Sequence, residues 1–220
     1  MWQRIVQKMA MRRIRAFVEA GREGVVSPKG KKFFFQDISL YNQLFANKTI
    51  NVLASGPSIK NMDLSVICVQ PCIFVNGAIR FHEQNIQFQN CMWVVSDSRF
   101  VFHQRDLWRH ISGMTCFFTF AVIQAIMLIN LDFFERNTVV LLKDVRTSVG
   151  VETHEAVVYR DDLPTIGVSL DISQGFVEAG TVTFIATQLA YYLGAQNIVI
   201  YGMDVLNASE PRFYEQDDNK

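Results

Sequence analysis

The chain has 220 residues, half of them hydrophobic and 18 of them Phe, which suits one α/β domain with a sizeable core and excludes a disordered chain. Lys plus Arg equals Asp plus Glu at 21 each, so the composition excludes a generally basic surface that coats nucleic acid. The four cysteines, Cys68, Cys72, Cys91 and Cys116, form no C-x-x-C pair and have no histidine at ligand spacing, so they read as buried free thiols of a reducing compartment rather than a metal or disulfide framework.

In chain order, residues 1–20 place Trp2, Ile5, Val6, Met9, Phe17 and Val18 at helical spacing with Arg and Lys between them. This amphipathic helix either packs on its own domain or rests on an anionic membrane face, with Trp2 at headgroup level. Residues 1–32 carry nine cations against Glu19 and Glu23, whereas 215–218 are acidic. Residues 21–32, rich in Gly with Pro28, read as a loop, so 1–47 form an N-terminal helix and loop and 48–220 the main domain. No secretory h-region follows the charged start. The apolar run 114–131 is interrupted by Thr115, Thr119, Gln124 and Asn130 and does not read as a membrane span. The expected location is cytoplasmic, peripheral on the inner membrane if the helix binds it.

From 48 onward, strands are expected at 50–54, 72–76, 92–96, 114–118, 139–142 and 198–201, and helices at 79–84, 101–110, 121–128 and 180–193. Strands apolar on both faces and separated by helices imply a mostly parallel, Rossmann-like sheet with helices on both faces. Such sheets bind ligands beyond the carboxyl ends of their strands. Residues 50–59, INVLASGPSI, read as a strand, a sharp turn and a helix start. There Gly56 allows close backbone approach, Pro57 fixes the turn and Ser58 caps the helix, leaving N–H groups for a phosphate. Asn76, the stretch Ser96, Asp97 and Ser98, and Asp204 end the second, third and last strands, where amide and carboxylate groups suit a base or a ribose. Singly, each also suits a turn or a cap.

Ala54 to Ile59, Val75-Asn76-Gly77, and Glu178-Ala179-Gly180 leading to Leu193-Gly194-Ala195-Gln196-Asn197-Ile198-Val199-Ile200-Tyr201-Gly202-Met203-Asp204 together resemble the bacterial sialyltransferases of glycosyltransferase family 42 and the related Kdo transferases of lipopolysaccharide core assembly. The resemblance spans 50–214 and is strongest at its two ends. It implies a GT-A-like variant of the Rossmann sheet and an inverting transfer, without metal or other cofactor, from a CMP-activated ulosonic acid to a lipid-linked oligosaccharide. By position, Ser55, Gly56, Pro57 and Ser58 would surround the donor phosphate and sugar. Asn76 would face the donor, Ser96, Asp97 and Ser98 would line the pocket, Gly180 would start the helix near the cytidine, and Asp204 would hold the nucleotide.

Ser55 stands where the family commonly has Asn, which favours Kdo over sialic acid as donor. Tyr214 would assist the departing phosphate. The family's general-base histidine lies beyond the Gly-x-Asp strand, whereas His82, His103, His110 and His154 all precede it here. A fragment lacking its catalytic portion is therefore expected, since an acidic end shortly after a central strand is an odd finish. No nucleic-acid partner is expected, and a homo-oligomer is compatible with the pattern. Two rivals remain. The Gly-Pro-Ser turn also resembles archaeal-type pterin diphosphokinases, which need Mg²⁺ and a triphosphate. The other rival is a non-catalytic nucleotide-fold module at the membrane.

Overall fold

Short β-branched and aromatic runs, bounded by Gly, Pro, Asn and Asp, set most of the strands. The computed structural model describes residues 2–83, 87–145, 156–162, 167–204 and 212–214. Its elements begin with α1 (Trp2–Met11), β1 (Arg15–Glu19), β2 (Arg22–Val26), β3 (Lys32–Phe34), β4 (Thr49–Leu53), α2 (Leu64–Ile67), β5 (Cys72–Val75) and β6 (Cys91–Val95). There follow α3 (Ser98–His103), α4 (Leu107–His110), β7 (Thr115–Thr119), α5 (Phe120–Ile129), α6 (Phe133–Arg136) and β8 (Thr138–Leu142). Last come β9 (Val157–Tyr159), β10 (Gly167–Ser169), α7 (Val182–Tyr192) and β11 (Asn197–Tyr201).

Six strands form one parallel sheet in the order β11-β4-β5-β6-β7-β8, flanked by helices, which is the α/β Rossmann-like fold the alternation predicts. From β4 to β8 each strand adds beside the one before it. The last crossover reverses, and β11 pairs with the free side of β4, Asn197 opposite Thr49 and Tyr201 opposite Leu53. Expected in the middle of the sheet, β11 is instead its edge, and Val199 and Ile200 stay partly exposed. Such a reversal opens a crevice at the carboxyl ends of the two strands it separates.

The chain forms two compact units, Met1–Ile38 with Val95–Leu142 and Ser39–Val94 with Lys143–Lys220. In the first, α1 stops at Met11, and residues 15–19, which helical spacing assigns to the same helix, form β1. The expected loop 21–32 contains β2, and β1, β2 and β3 make an antiparallel sheet. The physical reason is a two-residue hairpin. Ala20 and Gly21, at φ 51° and 77°, lie between the paired Glu19 and Arg22, the positive-φ geometry that suits the twist of two strands. The apolar run 114–131 divides into β7 and α5, and no described helix is long and apolar enough to cross a membrane. Trp108 packs edge-on to Phe118 and Phe133 at 5.8 and 5.5 Å, filling the core under α4 and α6. Asn137, buried there, accepts from the Met114 N–H and donates to the Ile111 and Phe133 carbonyls.

In the second unit, α7 packs on β4 and β5 through Ile185, Ala186 and Leu189, all buried. Its buried Gln188 accepts from the Ser169 and Val177 N–H groups at 2.9 and 3.0 Å and donates to the Val177 and Phe184 carbonyls. A single amide thus fastens β10 and the segment leading to α7. All four cysteines are free. Burial pushes the Cys72 thiol up to about 12 and the Cys91 thiol to about 11, and raises fully buried Cys116 well above its ordinary value.

Two outcomes are expected. Gln188→Leu leaves the Ser169 and Val177 amides unpaired and lowers stability by about 2–4 kcal/mol in urea unfolding, one buried unsatisfied group costing about 1–3 kcal/mol. At pH 8 iodoacetamide leaves Cys72 and Cys116 unmodified in the native protein and alkylates them in urea, as read by mass spectrometry.

Candidate functional site

The pairing of β4 with β11 continues past the strand ends, where Ala54 donates to the Tyr201 carbonyl at 2.8 Å and Gly56 to the Gly202 carbonyl at 2.9 Å. This brings Asp204 onto the turn after β4. Gly56 has an ordinary φ of −67°, so its requirement is space rather than conformation. A methyl group there would overlap the Asp204 carboxylate and the Gly202 carbonyl. Pro57 opens a 3₁₀ helix, Pro57–Asn61, with Gly56 at the cap position and no side-chain cap.

Ser58, expected as the cap, lies exposed in the first turn, and its N–H donates to Asp204 Oδ2 at 2.9 Å. The anion on this turn is therefore the chain's own carboxylate. Pro57 has no N–H to offer, and five residues of 3₁₀ helix sum too few peptide dipoles to draw a phosphate. The strand and turn of INVLASGPSI stand as read, while the capping role moves from Ser58 to Asp204.

At the carboxyl end of β5, Asn76 takes the left-handed conformation, φ 49°, which Asn tolerates better than other residues with a Cβ. The buried Trp93 indole donates to its carbonyl at 2.9 Å and holds it there. Its side-chain Oδ1 is buried and, among the described residues, has no hydrogen-bond partner. Gly77 lies so close to the Tyr214 ring that a methyl group would overlap it. Tyr214 is anchored by its neighbour, since Phe213 stacks on Phe81 at 4.0 Å and donates its N–H to the Ser55 carbonyl at 3.4 Å. The Arg80 guanidinium stands 5.6 Å from the Tyr214 ring centroid and 3.6 Å from the Glu83 carboxylate. Ser55, Gly56, Asn76, Tyr214 and Asp204 thus converge over β4, β5 and β11, with Arg80 beside them. Sequence reading passes over Arg80, although its place four residues after Asn76, on the 3₁₀ helix Asn76–Glu83, is the signal that would find it.

Gly180, exposed at φ 76°, precedes α7 but does not start it, because the Thr181 hydroxyl caps the helix by accepting from the Thr183 N–H. The C-terminal end of α7 is tied to the segment before β4 by Gln43 and Phe45 N–H bonds to Tyr192 and Leu193. Its N-terminal end therefore lies toward the carboxyl ends of the strands.

Ser96, Asp97 and Ser98 belong to the other unit. Asp97 caps α3, accepting from the Arg99 N–H at 2.8 Å and the Arg99 Nε at 2.7 Å. Burial pushes its carboxyl up, but the Arg99 hydrogen bonds and the charges of Arg99 and His103 outweigh this and hold it below the usual range. The Ser96 carbonyl accepts from Thr119 Oγ1, and Ser98 opens α3. Here the capping reading describes the geometry. His82 stands edge-on to Phe74, His103 and His110 end α3 and α4, and His154 lies outside the described residues.

Fold and site together define a Rossmann-like α/β protein with amide, carboxylate, phenol and guanidinium groups gathered at a strand-order reversal. The chain is 26% identical over 203 aligned residues to a protein of Salmonella typhimurium named probable 3-deoxy-manno-octulosonic acid transferase, covering 79% of this chain and 71% of that one. An Escherichia coli protein of the same name is 25% identical over 194 residues, covering 76% of this chain and 65% of its own length. No family model and no solved structure matches the chain. Both similarities fall on the Kdo side of the resemblance carried by the motifs.

Asn76 separates conformational from chemical roles. Asn76→Ala costs about 1 kcal/mol for the left-handed backbone, whereas Asn76→Gly keeps or raises the melting temperature, as differential scanning fluorimetry reads. Asp97 gives a pH signature. Its folded pKa is depressed, so its contribution is complete above the unfolded value near 4 and disappears as pH falls through the folded value. Asp97→Asn therefore flattens the acid limb of the stability curve and leaves its slope at neutral pH unchanged.

Proposed function

We propose that the chain is a glycosyltransferase of lipopolysaccharide assembly that moves a Kdo residue from a CMP-activated donor to a glycan hydroxyl, with inversion and without a metal ion. The observation that carries this reading is the similarity to two proteins named probable 3-deoxy-manno-octulosonic acid transferase over more than three quarters of the chain. The site chemistry supports it.

In this reading the donor lies over β4, β5 and β11. Asp204, held by the Ser58 N–H through one oxygen, turns its other oxygen to the ribose hydroxyls or the cytosine amine. The unpaired Asn76 Oδ1 accepts from a donor hydroxyl, which removes the cost of its burial without a partner. Arg80 and the Tyr214 hydroxyl supply positive charge and a hydrogen bond to the phosphate. As the bond from the anomeric carbon to phosphate breaks, negative charge gathers on CMP, and donors fixed beforehand stabilise it more than they stabilise the ground state. The turn after β4 positions Asp204 rather than gripping phosphate itself. A sialic acid donor shares the CMP moiety and would use the same groups, but both relatives are named for the octulosonic acid.

Isothermal calorimetry with CMP tests the site. Binding is expected in EDTA, weakened about tenfold or more by Asp204→Ala and by Arg80→Ala, since a hydrogen bond to a charged group is worth about 1.5–3 kcal/mol. No CMP binding, or an Asp204→Ala variant that binds as the wild type does, overturns the proposal. Strict dependence on Mg²⁺ and preference for a triphosphate instead support the diphosphokinase alternative.

A further inference from the structure

The geometry points to a docking surface in the first unit for an anionic phospholipid leaflet, built from the outward face of α1 and a cavity ringed by Arg105 and Arg109. It is independent of the donor site, all of whose residues lie in the other unit.

The first observation is the rotation of α1. Its buried side is Met11, flanked by half-buried Gln7 and Ala10, whereas Ile5, Val6 and Met9 are 45%, 49% and 61% exposed. At 3.6 residues per turn, positions 5, 6 and 9 fall within about 100° of one another; 5 and 9 are turned well away from 7 and 11, whereas 6 stands about 40° from 10, at the border between the two sides. A helix that packs for its own unit's benefit turns its branched apolar residues inward. This one turns Gln and Ala inward and is held so, because Gln124 of α5 donates to the Met11 and Ile14 carbonyls at 3.0 and 3.1 Å.

The second observation is the cavity beside it, about 430 Å³, lined by Ala10, Leu128 and Ile129, by Val6 at the edge of the stripe, and by Arg105 and Arg109. Both arginines are exposed, and among the described residues neither they nor Arg4, Lys8, Arg12 and Arg13 form an ion pair. No acidic residue occurs before Glu19.

An apolar stripe bordered by unpaired cations matches the interfacial layer of an anionic bilayer. Ile5, Val6 and Met9 enter the acyl boundary, the α1 cations meet the surface charge, and Arg105 and Arg109 take a headgroup phosphate at the mouth of the cavity. A second copy fits poorly, because a self-complementary contact would set six cations against six.

The test is co-sedimentation of the full chain with vesicles of phosphatidylcholine alone and of phosphatidylcholine with phosphatidylglycerol. Binding is expected only to the anionic vesicles, with release by high salt. Ile5→Glu/Met9→Glu and Arg105→Glu/Arg109→Glu each lower it about tenfold or more, since each cation near the surface contributes on the order of 1 kcal/mol. The substituted side chains are exposed, so melting temperature and CMP affinity stay unchanged, which separates this surface from the donor site. Several results overturn the proposal. One is equal binding to neutral vesicles, or none to either. Another is an Arg105→Glu/Arg109→Glu variant that binds as the wild type does. A third is a dimer in gel filtration that Ile5→Glu/Met9→Glu dissolves. Stabilisation by inorganic phosphate without sedimentation assigns the cavity to a free anion and also overturns it.

Discussion

The parallel pairing of β4 with β11 is the constraint on which the site depends. Because the ladder runs on through Ala54 and Gly56, the turn after β4 and the segment after β11 are held at hydrogen-bonding distance beyond both strand ends. Two groups 146 positions apart in the chain, the Ser58 N–H and the Asp204 carboxylate, then meet with no room for a side chain at position 56. The glycine is a spatial requirement imposed by the register. Shifting β11 by one residue would exchange the faces of its side chains and carry Asp204 off the turn.

A similar economy operates one strand over. Asn76 accepts an unfavourable backbone conformation because the Trp93 indole bonds its carbonyl, and the cost leaves its amide oxygen buried and unpaired at the carboxyl end of β5. Gly77 then makes room for Tyr214, whose own position depends on Phe213 stacking on Phe81. Strain, orphaned polarity and a tightly seated aromatic ring coincide at one end of the sheet. Packing alone gives no reason to concentrate them there, whereas the polar ligand proposed for this site would.

The six core strands are readable in the sequence because their runs are apolar on both faces and flanked by turn residues, and they fall within one residue of expectation at each end. The antiparallel strands β1 to β3 are not, because Phe17 and Val18 continue the spacing of α1 while the hairpin turn, Ala20-Gly21, lacks the usual Asn or Asp. At the site, Gly56, Asn76 and Asp204 draw notice because their types are informative at strand ends, whereas Tyr214 enters only through the family resemblance. Arg80 is missed, since an arginine on an amphipathic segment looks like any solvated cation until Tyr214 is placed against it. Asp97 is the reverse case, a carboxylate at a strand end whose capacity is taken up by capping α3 and pairing with Arg99.

Charge follows the same division as the contacts. The first unit carries the cation-rich start of the chain and, at the cavity rim, two more arginines with no acid to meet them among the described residues. In the second unit the charged groups at the site are tied down: Asp204 to a backbone amide, Arg80 to Glu83 and the Tyr214 ring. Groups fixed in this way have little freedom left to lose when a ligand arrives, so their interactions convert more fully into selectivity. Free cations on long side chains over an apolar floor conform to a surface instead, and their attraction sums over many weak contacts. The two arrangements suit the two proposals, one for a defined small molecule and the other for a broad charged face.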